Sequence, residues 1–142
     1  MKTVAELLRL RPVRVVSVKP EDSVLEAIKI LARENVGAAV VMVGDRLAGI
    51  FSERDYTRKV ILKGRSSDST RVEEIMTANV VVVSPRTKTR DCMALMTEKN
   101  IRHLPVVEDG KLLGLVSIGD LVKVKLSEAA EEAQALRAYI TS

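Results

Sequence analysis

Two serine–aspartate pairs with the same spacing are the residues of this sequence best suited to chemistry. Ser52 precedes Asp55 and Ser117 precedes Asp120, so the two pairs lie 65 residues apart. A serine can cap the start of a helix, and an acidic residue in the first turn suits the helix dipole. A helix N-terminus also attracts phosphate, and a carboxylate can accept hydrogen bonds from both hydroxyls of a ribose. The pairs therefore predict either plain helix caps or two sites for a phosphorylated sugar.

The cationic side chains near the two pairs are not the same. Arg54 lies in the same predicted helical turn as Asp55 and could bind a phosphate through two N–H groups, although an exposed surface arginine is an equally good interpretation. Gly119 holds the equivalent position in the second motif, so no guanidinium is offered there. Lys19 could add a positive charge, but a plain surface lysine is the more common role of such a residue. We therefore expect the two sites to bind phosphate differently.

The serine–aspartate pairs belong to a longer internal repeat. Residues 15–20 read Val-Val-Ser-Val-Lys-Pro and residues 80–85 read Val-Val-Val-Val-Ser-Pro, and the same offset of 65 residues aligns the chain without a gap as far as Asp55. Upstream, residues 4–8 resemble residues 72–76 at an offset of 68. One copy is too small to bury both faces of a three-stranded sheet, whereas two copies packed together can do so. The repeat therefore predicts two units that share one fold.

The order of elements within each copy is predicted to be β-α-β-β-α, beginning with a short strand that ends at Pro20 or Pro85. Apolar periodicity, capping residues and turn residues indicate the later elements. In the first copy these are a helix from Ser23, strands over 38–43 and 47–51, and a helix from Ser52 to Gly64. The pattern predicts a mixed α/β fold in which the copies pack sheet to sheet with pseudo-twofold symmetry and form paired clefts.

The end of the chain carries a different pattern. Ala129, Ala133, Leu136 and Ile140 form one apolar stripe, which predicts a separate amphipathic helix. That helix could contact a second copy of the chain, bind another partner, or stay exposed. The predicted bounds are repeat 1 over 1–64, a polar linker over 65–71, repeat 2 over 72–126 and a C-terminal helix over 127–142.

Composition argues against several classes of function. Aromatic residues are only 2% of the chain, which disfavours nucleic-acid binding by base stacking. A single cysteine excludes an internal disulfide and a cysteine-cluster metal site, and Cys92 lies on an apolar helix face typical of a core residue. The net charge of +4 gives a mild preference for anionic partners. No run of about 18 apolar residues predicts a membrane span, so we expect a cytoplasmic protein.

Three segments read Gly-Ile-Phe-Ser-Glu-Arg-Asp over 49–55, Gly-Leu-Val-Ser-Ile-Gly-Asp over 114–120 and Asn-Ile-Arg-His-Leu-Pro-Val over 100–106. Together they resemble the cystathionine-β-synthase (CBS) domain family, whose tandem form is called a Bateman module. The resemblance extends over about residues 1–125. It implies an adenosine-containing ligand in the clefts, namely AMP, ADP, ATP or in some members NAD(H) or S-adenosylmethionine, with no metal required. It also implies a disc-like homodimer.

The resemblance assigns roles to the two serine–aspartate pairs. The family's aspartate holds the ribose and its serine or threonine lies beside the phosphate. These positions correspond to Asp55 with Ser52, and to Asp120 with Ser117. Because the motif recurs at a fixed offset, we favour ribose binding over capping alone at both aspartates.

Further site residues follow from the same resemblance. The family uses an Arg–His pair, matched here by Arg102 and His103, to contact phosphates of the nucleotide held by the opposite repeat, although a purely structural histidine remains an alternative. The first copy instead has Gly37, Ala38 and Ala39, whose small side chains permit close approach of an adenine, so the clefts are not equivalent. The other residues predicted to line the two sites are Val18, Val24, Val83, Ser84, Thr89 and Leu104.

These features predict a non-catalytic regulatory module for signal transduction or energy sensing. An adenine nucleotide would shift the populations of a homodimer, and an unidentified protein effector would respond to the shift. An enzyme is disfavoured because the sequence has no nucleophile–base pair, no Gly-rich lysine loop and no metal cluster. Nucleic-acid binding has only the charge of +4 in its favour. The alternative is a structural or partner-binding dimer with vestigial clefts.

Overall fold

The computed structural model of the protein describes residues 2–10 and 15–141. Its composition of helices and short strands confirms the prediction of a mixed α/β fold. In chain order the elements are α1 (Val4–Leu10), β1 (Ser17–Val18), α2 (Val24–Glu34), β2 (Ala38–Val43), β3 (Arg46–Ser52), α3 (Glu53–Tyr56), α4 (Val72–Ile75), α5 (Thr89–Lys99), β4 (His103–Glu108), β5 (Lys111–Ser117) and α6 (Ile118–Thr141).

Local signals set the start and end of the longer helices. The Ser23 hydroxyl accepts a hydrogen bond from the Glu26 N–H at 3.1 Å, which confirms the predicted start of α2. Asn35 and Asn100 end α2 and α5 in the left-handed conformation, with φ of 55° and 54°. Asparagine adopts this conformation more readily than most residues, so both helices end for the same local reason.

The helix predicted between Ser52 and Gly64 consists of two parts. α3 gives way to a π-helical turn over Thr57–Ile61. Gly64 follows with φ of 67°, a conformation open to glycine, which agrees with the predicted end. Turns of the π type are often found at functional sites, and this one carries Arg58 and Lys59.

The two sheets are unequal in size. β1 pairs in parallel with β2, and β2 pairs antiparallel with β3. β4 and β5 form the matching antiparallel pair in the second copy. The strand predicted before Pro85 is reduced, among the described residues, to a single parallel bridge between Val83 and Val106. Within 2–10 and 15–141, the first copy has the predicted three-stranded sheet, whereas in the second copy the first strand is represented by that bridge.

The sheets face each other across a small apolar layer. Ala38 and Val40 of β2 pack with Leu115 of β5, and all three side chains are buried. Larger cores lie on the outer side of each sheet, beneath the helices. This arrangement confirms the predicted sheet-to-sheet packing of the two copies.

The short leading helix of each copy packs on the opposite copy. Leu7 of α1 is buried in the core of the second copy, and Ile75 of α4 is buried in the core of the first. The backbone contacts are also exchanged, since the Val4 N–H donates to the Thr87 carbonyl at 2.8 Å and the Val72 N–H donates to the Asp22 carbonyl at 2.9 Å. The two copies therefore depend on each other for their cores, and the predicted bounds of the repeats do not coincide with the bounds of the cores.

The last helix is longer than predicted. α6 runs without a break from Ile118 to Thr141, so the predicted boundary at residue 127 falls inside one helix. Its first turns bury Leu121 and Val124. The described part of the chain has no helix both long and apolar enough to cross a bilayer.

Candidate functional site

A cavity of about 480 Å³ lies where the N-terminus of α3 faces the second copy. Its volume lies within the range of known small-molecule sites. Four segments and two single residues line it, namely Ser52–Asp55, Arg58 with Lys59, Thr77 with Asn79–Val81, Asn100–His103, Gly37 and Ile50. The cavity therefore brings together Ser52, Arg54, Asp55, Gly37, Arg102 and His103 from the residues predicted by sequence.

Close approach of two backbones positions one wall of this cavity. Ile50 in β3 exchanges backbone hydrogen bonds with Thr77, at 3.0 and 2.9 Å. Gly49 makes this possible, because a Cβ atom there would lie 2.7 Å from the Thr77 carbonyl oxygen and 2.9 Å from the Met76 sulfur. The segment that continues to Val81 is thereby held beside the start of α3.

The Ser52–Asp55 pair forms a reciprocal helix cap. The Asp55 Oδ2 atom accepts hydrogen bonds from the Ser52 N–H and hydroxyl, both at 3.0 Å, and the Asp55 N–H donates to the Ser52 Oγ atom at 3.1 Å. Asp55 is only 8% exposed. The capping interpretation is therefore confirmed, and the ribose role would be an additional function of the same carboxylate.

The second oxygen of Asp55 is turned toward the cavity lining. Asp55 Oδ1 lies 3.0 Å from Lys59 Nζ and 3.5 Å from the Thr77 hydroxyl, and both of these residues line the cavity. Lys59 Nζ also donates to the Ile75 carbonyl at 2.9 Å. A carboxylate oxygen can accept two hydrogen bonds, and those of Asp55 Oδ1 are directed to Lys59 and, at a longer distance, to Thr77. A ligand hydroxyl would therefore replace the weaker Thr77 contact and leave the Lys59 contact in place.

The cavity has an excess of positive charge. Arg54, Arg58, Lys59 and Arg102 line it, against the carboxylates of Glu53 and Asp55. Arg54 Nη1 donates to the Asn100 carbonyl at 3.0 Å and so bridges the two copies. Guanidinium groups bind phosphate through paired N–H donors, so this wall is suited to a phosphorylated ligand.

His103 lies between the two serine–aspartate motifs. The imidazole of His103 lies close to Gly37, since a Cβ atom added to Gly37 would be 3.8 Å from the ring. Both residues line the cavity. Burial lowers the pKa of His103 below its usual value, the negative charge of Asp120 acts in the opposite direction, and Arg102 lowers the pKa further. The electrostatic influence of Asp120 connects this side chain to the second motif as well.

The second motif repeats the local geometry of the first. Asp120 Oδ2 accepts from the Ser117 N–H at 3.0 Å and from its hydroxyl at 2.9 Å, and the Asp120 N–H donates to Ser117 Oγ at 3.2 Å. Ser117, Gly119 and Asp120 do not line the cavity described above. By the repeat offset, residues 12 and 14–16 correspond to the wall residues 77 and 79–81 of this cavity, and residues 12 and 14 lie outside the described residues.

Most of the predicted adenine-slot residues lie elsewhere. Val18, Val24 and Ala39 belong to the core of the first copy, Val83 and Leu104 to that of the second, and Ala38 to the layer between the sheets, so none lines the cavity. Their side chains are apolar and fill the cores, which is the more common fate of such residues. Three polar candidates have local roles: the buried Thr89 hydroxyl donates to the Lys2 carbonyl, Ser84 bonds to Thr87 in a turn, and the exposed Lys19 bonds through its N–H to Asp22.

The apolar lining of the cavity was not among the site residues predicted from the sequence. Ile50, Val80, Val81 and Ile101 are the apolar residues of the cavity. The repeat carried a usable signal, because residues 80–83 were recognised as the partner of the first strand segment. The resemblance placed Arg102 and His103 of the second copy beside a ligand of the first, and the tertiary structure adds residues 79–81 to the same wall.

Metal-ligating side chains and the single cysteine thiol are the remaining groups with potential chemistry. No group of three histidine, cysteine or acidic side chains within 2–10 and 15–141 could hold a metal ion. Cys92 is buried, and burial together with the charge of Asp91 raises the pKa of its thiol to about 11. Such a thiol is a poor nucleophile at neutral pH, in agreement with its predicted place in the core.

Comparison with known sequences identifies relatives of the whole repeat. The family model described as CBS domain matches the chain twice, over residues 4–61 and 72–127, which confirms the resemblance. The CBS domain-containing protein CBSX3, mitochondrial, of Arabidopsis thaliana is 49% identical over 125 residues. The alignment covers 84% of this chain and 61% of CBSX3, so the chain spans about three fifths of that relative.

Solved structures show the same architecture. A CBS-domain protein from Burkholderia ambifaria MC40-6 is 53% identical, with a TM-score of 0.86 and coverage of 89% of this chain and 95% of that one. The CBS domain protein PAE2072 from Pyrobaculum aerophilum, solved in complex with AMP, is 28% identical, with a TM-score of 0.74 and coverage of 83% and 88%.

Proposed function

Because the chain belongs to the CBS-domain family, we propose that it is a non-catalytic regulatory module that binds an adenosine-containing nucleotide in the cavity at the start of α3. The convergence of the Asp55 carboxylate with three guanidinium groups, those of Arg54, Arg58 and Arg102, carries this proposal. A carboxylate suits ribose hydroxyls, and guanidinium groups suit phosphates. The presence of AMP in the relative PAE2072 supports an adenosine ligand.

The distribution of polar and apolar groups suggests one orientation for the ligand. The ribose would lie at Asp55 Oδ1, with Ser52 and the start of α3 close to the first phosphate. The arginines would hold the remaining phosphate charge. The adenine would lie among the apolar residues contributed largely by the second copy, Val80, Val81 and Ile101.

Binding between the copies offers a route to regulation. The ligand would contact the first copy through Asp55 and the second through Arg102, and it would compete with the Arg54–Asn100 bond that joins them. A ligand with different affinity for two arrangements of the copies shifts their populations. The signal would therefore be a change in how the copies sit together rather than a chemical reaction.

A second, weaker site is proposed at Ser117 and Asp120. The cap geometry there matches that of the first motif, so a ribose could be held in the same way. Gly119 supplies no charge where the first motif has Arg54, which favours a ligand with fewer phosphates or a lower affinity.

Association into a homodimer completes the proposal. Ile61, Leu62 and Val122 are large apolar side chains that are 53%, 72% and 42% exposed, the first two at the end of the π-helical turn and the third in α6. Apolar surface of this kind is suited to a protein interface. The effector that would respond to the dimer is unidentified. The expected cytoplasmic location stays a prediction, and the Arabidopsis relative is named as mitochondrial.

Calorimetric titration of matched variants tests the proposal. Asp55→Asn keeps the shape of the side chain and a cap acceptor but loses the charge. We expect it to weaken AMP, ADP or ATP binding by about tenfold or more, because hydrogen bonds to charged groups are worth about 1.5–3 kcal/mol. Asp120→Asn, with the same change in the second motif, is expected to leave the stronger binding phase nearly unchanged.

Several results would contradict this proposal. Absence of heat with AMP, ADP, ATP and NADH at millimolar concentration would favour the structural dimer with vestigial clefts. Equal binding by Asp55→Asn and the parent would remove the ribose role. Steady release of phosphate from ATP by the purified protein would indicate an enzyme instead. Thermal unfolding of each variant verifies that a loss of binding is not a loss of fold.

A further inference from the structure

The outer part of α6 extends beyond the body of the protein. None of residues 125–141, all of them described, is buried, although the helix continues to Thr141. Leu126, Leu136 and Ile140 are 65%, 61% and 73% exposed. At 1.5 Å per residue, the segment from Leu126 onward projects by about 24 Å. Most helical stability in proteins comes from packing of an apolar face, so a partner that covers this segment would stabilise it.

Six apolar residues of α6, five of them in this segment, follow a heptad pattern, while the exposed Tyr139 lies beside it. Val122, Leu126, Ala129, Ala133, Leu136 and Ile140 are separated by alternating steps of four and three residues. This alternation places them on one seam, as the a and d positions of a two-stranded coiled coil. The small alanines in the middle would allow two helices to approach closely, and the larger residues would pack at both ends.

The charges beside the seam distinguish the possible orientations. With Leu126 at position a, Glu132 occupies position g and Arg137 occupies position e of the next heptad. In a parallel pair, Glu132 of each copy faces Arg137 of the other, which gives two attractive contacts. In an antiparallel pair with Leu126 opposite Leu136, Glu132 would face Glu132 and Lys123 would face Arg137. Like charges then meet at both flanks.

We propose that the outer part of α6 pairs in parallel with the same segment of a second copy of this chain, along the seam defined above. The seam is self-complementary in both packing and charge, which is what a symmetric pair requires. This inference deepens the proposed homodimer and rests on it, since it adds a second contact, with a defined orientation, between the two chains. It does not depend on nucleotide binding.

Cysteine cross-linking of the full chain tests the orientation directly. Ala133→Cys places a thiol at an a position, where equivalent residues of two parallel helices face each other. Ala135→Cys is the matched control, since it is the same substitution at the outward c position. Under mild oxidation we expect Ala133→Cys to form disulfide-linked dimers on the order of tenfold faster, because disulfides form only between closely facing Cβ atoms. The buried Cys92 thiol is expected to remain unreacted.

A charge exchange provides a second test that introduces no thiol. Glu132→Arg and Arg137→Glu each place like charges across a parallel pair. In sedimentation equilibrium, each variant alone should form a weaker dimer than the parent and should dissociate at a higher protein concentration. An equimolar mixture of the two should recover a dimer, because every facing pair then has opposite charges.

The outcomes separate this inference from the proposed function. Equal and slow cross-linking of both cysteine variants, in a chain that sedimentation shows to be dimeric, would overturn the pairing of α6 and leave the homodimer intact. Rapid cross-linking of Ala129→Cys mixed with Ala133→Cys, with little of either alone, would overturn the parallel orientation. A strictly monomeric chain would overturn both the inference and the homodimer, whereas nucleotide titration would still report on the cavity.

Discussion

The two serine–aspartate motifs have nearly identical caps and different surroundings. In both, the aspartate accepts from the serine N–H at 3.0 Å and closes a reciprocal bond. Asp55 is additionally paired with Lys59 and lies in a cavity walled by the other copy, whereas Gly119 leaves the second motif without the charge that Arg54 provides. The local sequence is therefore enough to form the same helix cap twice. The residues that the other copy places beside each cap determine which ligand can bind there.

The exchange of leading helices should give the largest effect on stability. Leu7→Ala removes a fully buried side chain of α1 from the core of the second copy, and we expect a loss of about 2–5 kcal/mol in the free energy of unfolding. Leu10→Ala in the same helix is the control, because Leu10 is 63% exposed and its loss should change stability by less than about 0.5 kcal/mol. Denaturant unfolding measures both, and similar values for the two would contradict the exchange.

Removing the arginine of the first motif, or adding one to the second, should change how tightly each motif binds the phosphates of a nucleotide. Arg54→Ala is expected to weaken ADP or ATP binding by about 1.5–3 kcal/mol while leaving adenosine binding unchanged, because adenosine has no phosphate. Gly119→Arg is expected to strengthen nucleotide binding at the second motif. Calorimetry with adenosine and ATP tests both changes. If Arg54→Ala weakened adenosine and ATP equally, the assignment of Arg54 to phosphate would be wrong.

Two equivalent glycines should respond differently to alanine. At Gly49 a Cβ meets the backbone oxygen of Thr77 at 2.7 Å, whereas at Gly114 it meets only the flexible end of the Leu8 side chain at 3.1 Å. Gly49→Ala is therefore expected to cost about 1–3 kcal/mol and to weaken nucleotide binding, since the cavity wall must shift. Gly114→Ala should cost less. Thermal unfolding with and without ATP measures both effects, and the reverse order would contradict this account of the wall.

The smallest predicted effect is a dependence on pH through His103. Burial lowers its pKa in the folded protein, so the unfolded chain binds the proton at higher pH. The free energy of unfolding should therefore fall as the pH drops below the usual histidine value of 6.5, and above that value this group contributes no slope. His103→Gln should remove that part of the slope. A nearby phosphate favours the charged imidazole, so ATP affinity should rise over the same range in the parent and not in the variant.

The sequence by itself determined the local elements and the symmetry of the protein. Ser23 and Ser52 set helix starts, and Gly64 marks the end of the helical segment that Ser52 begins. Asn35 ends α2 through the same kind of short-range signal. The constant offset of 65 residues identified two copies, and the doubled motif identified Asp55 and Asp120 as the carboxylates of interest. Capping and turn formation involve only residues that are neighbours in the sequence, so these features can be predicted from the sequence alone.

Only the tertiary structure decided which copy each segment serves. Val18 and Val80 read alike as apolar strand residues, yet Val18 lies in a core and Val80 lines the cavity of the other copy. The leading helices α1 and α4 are likewise exchanged between the copies, and α6 continues without a break across the bound predicted at residue 127. Apolar burial is non-directional, so a hydrophobic pattern specifies that a face will be covered without specifying by what. The partner of each face emerges only when the two copies pack together.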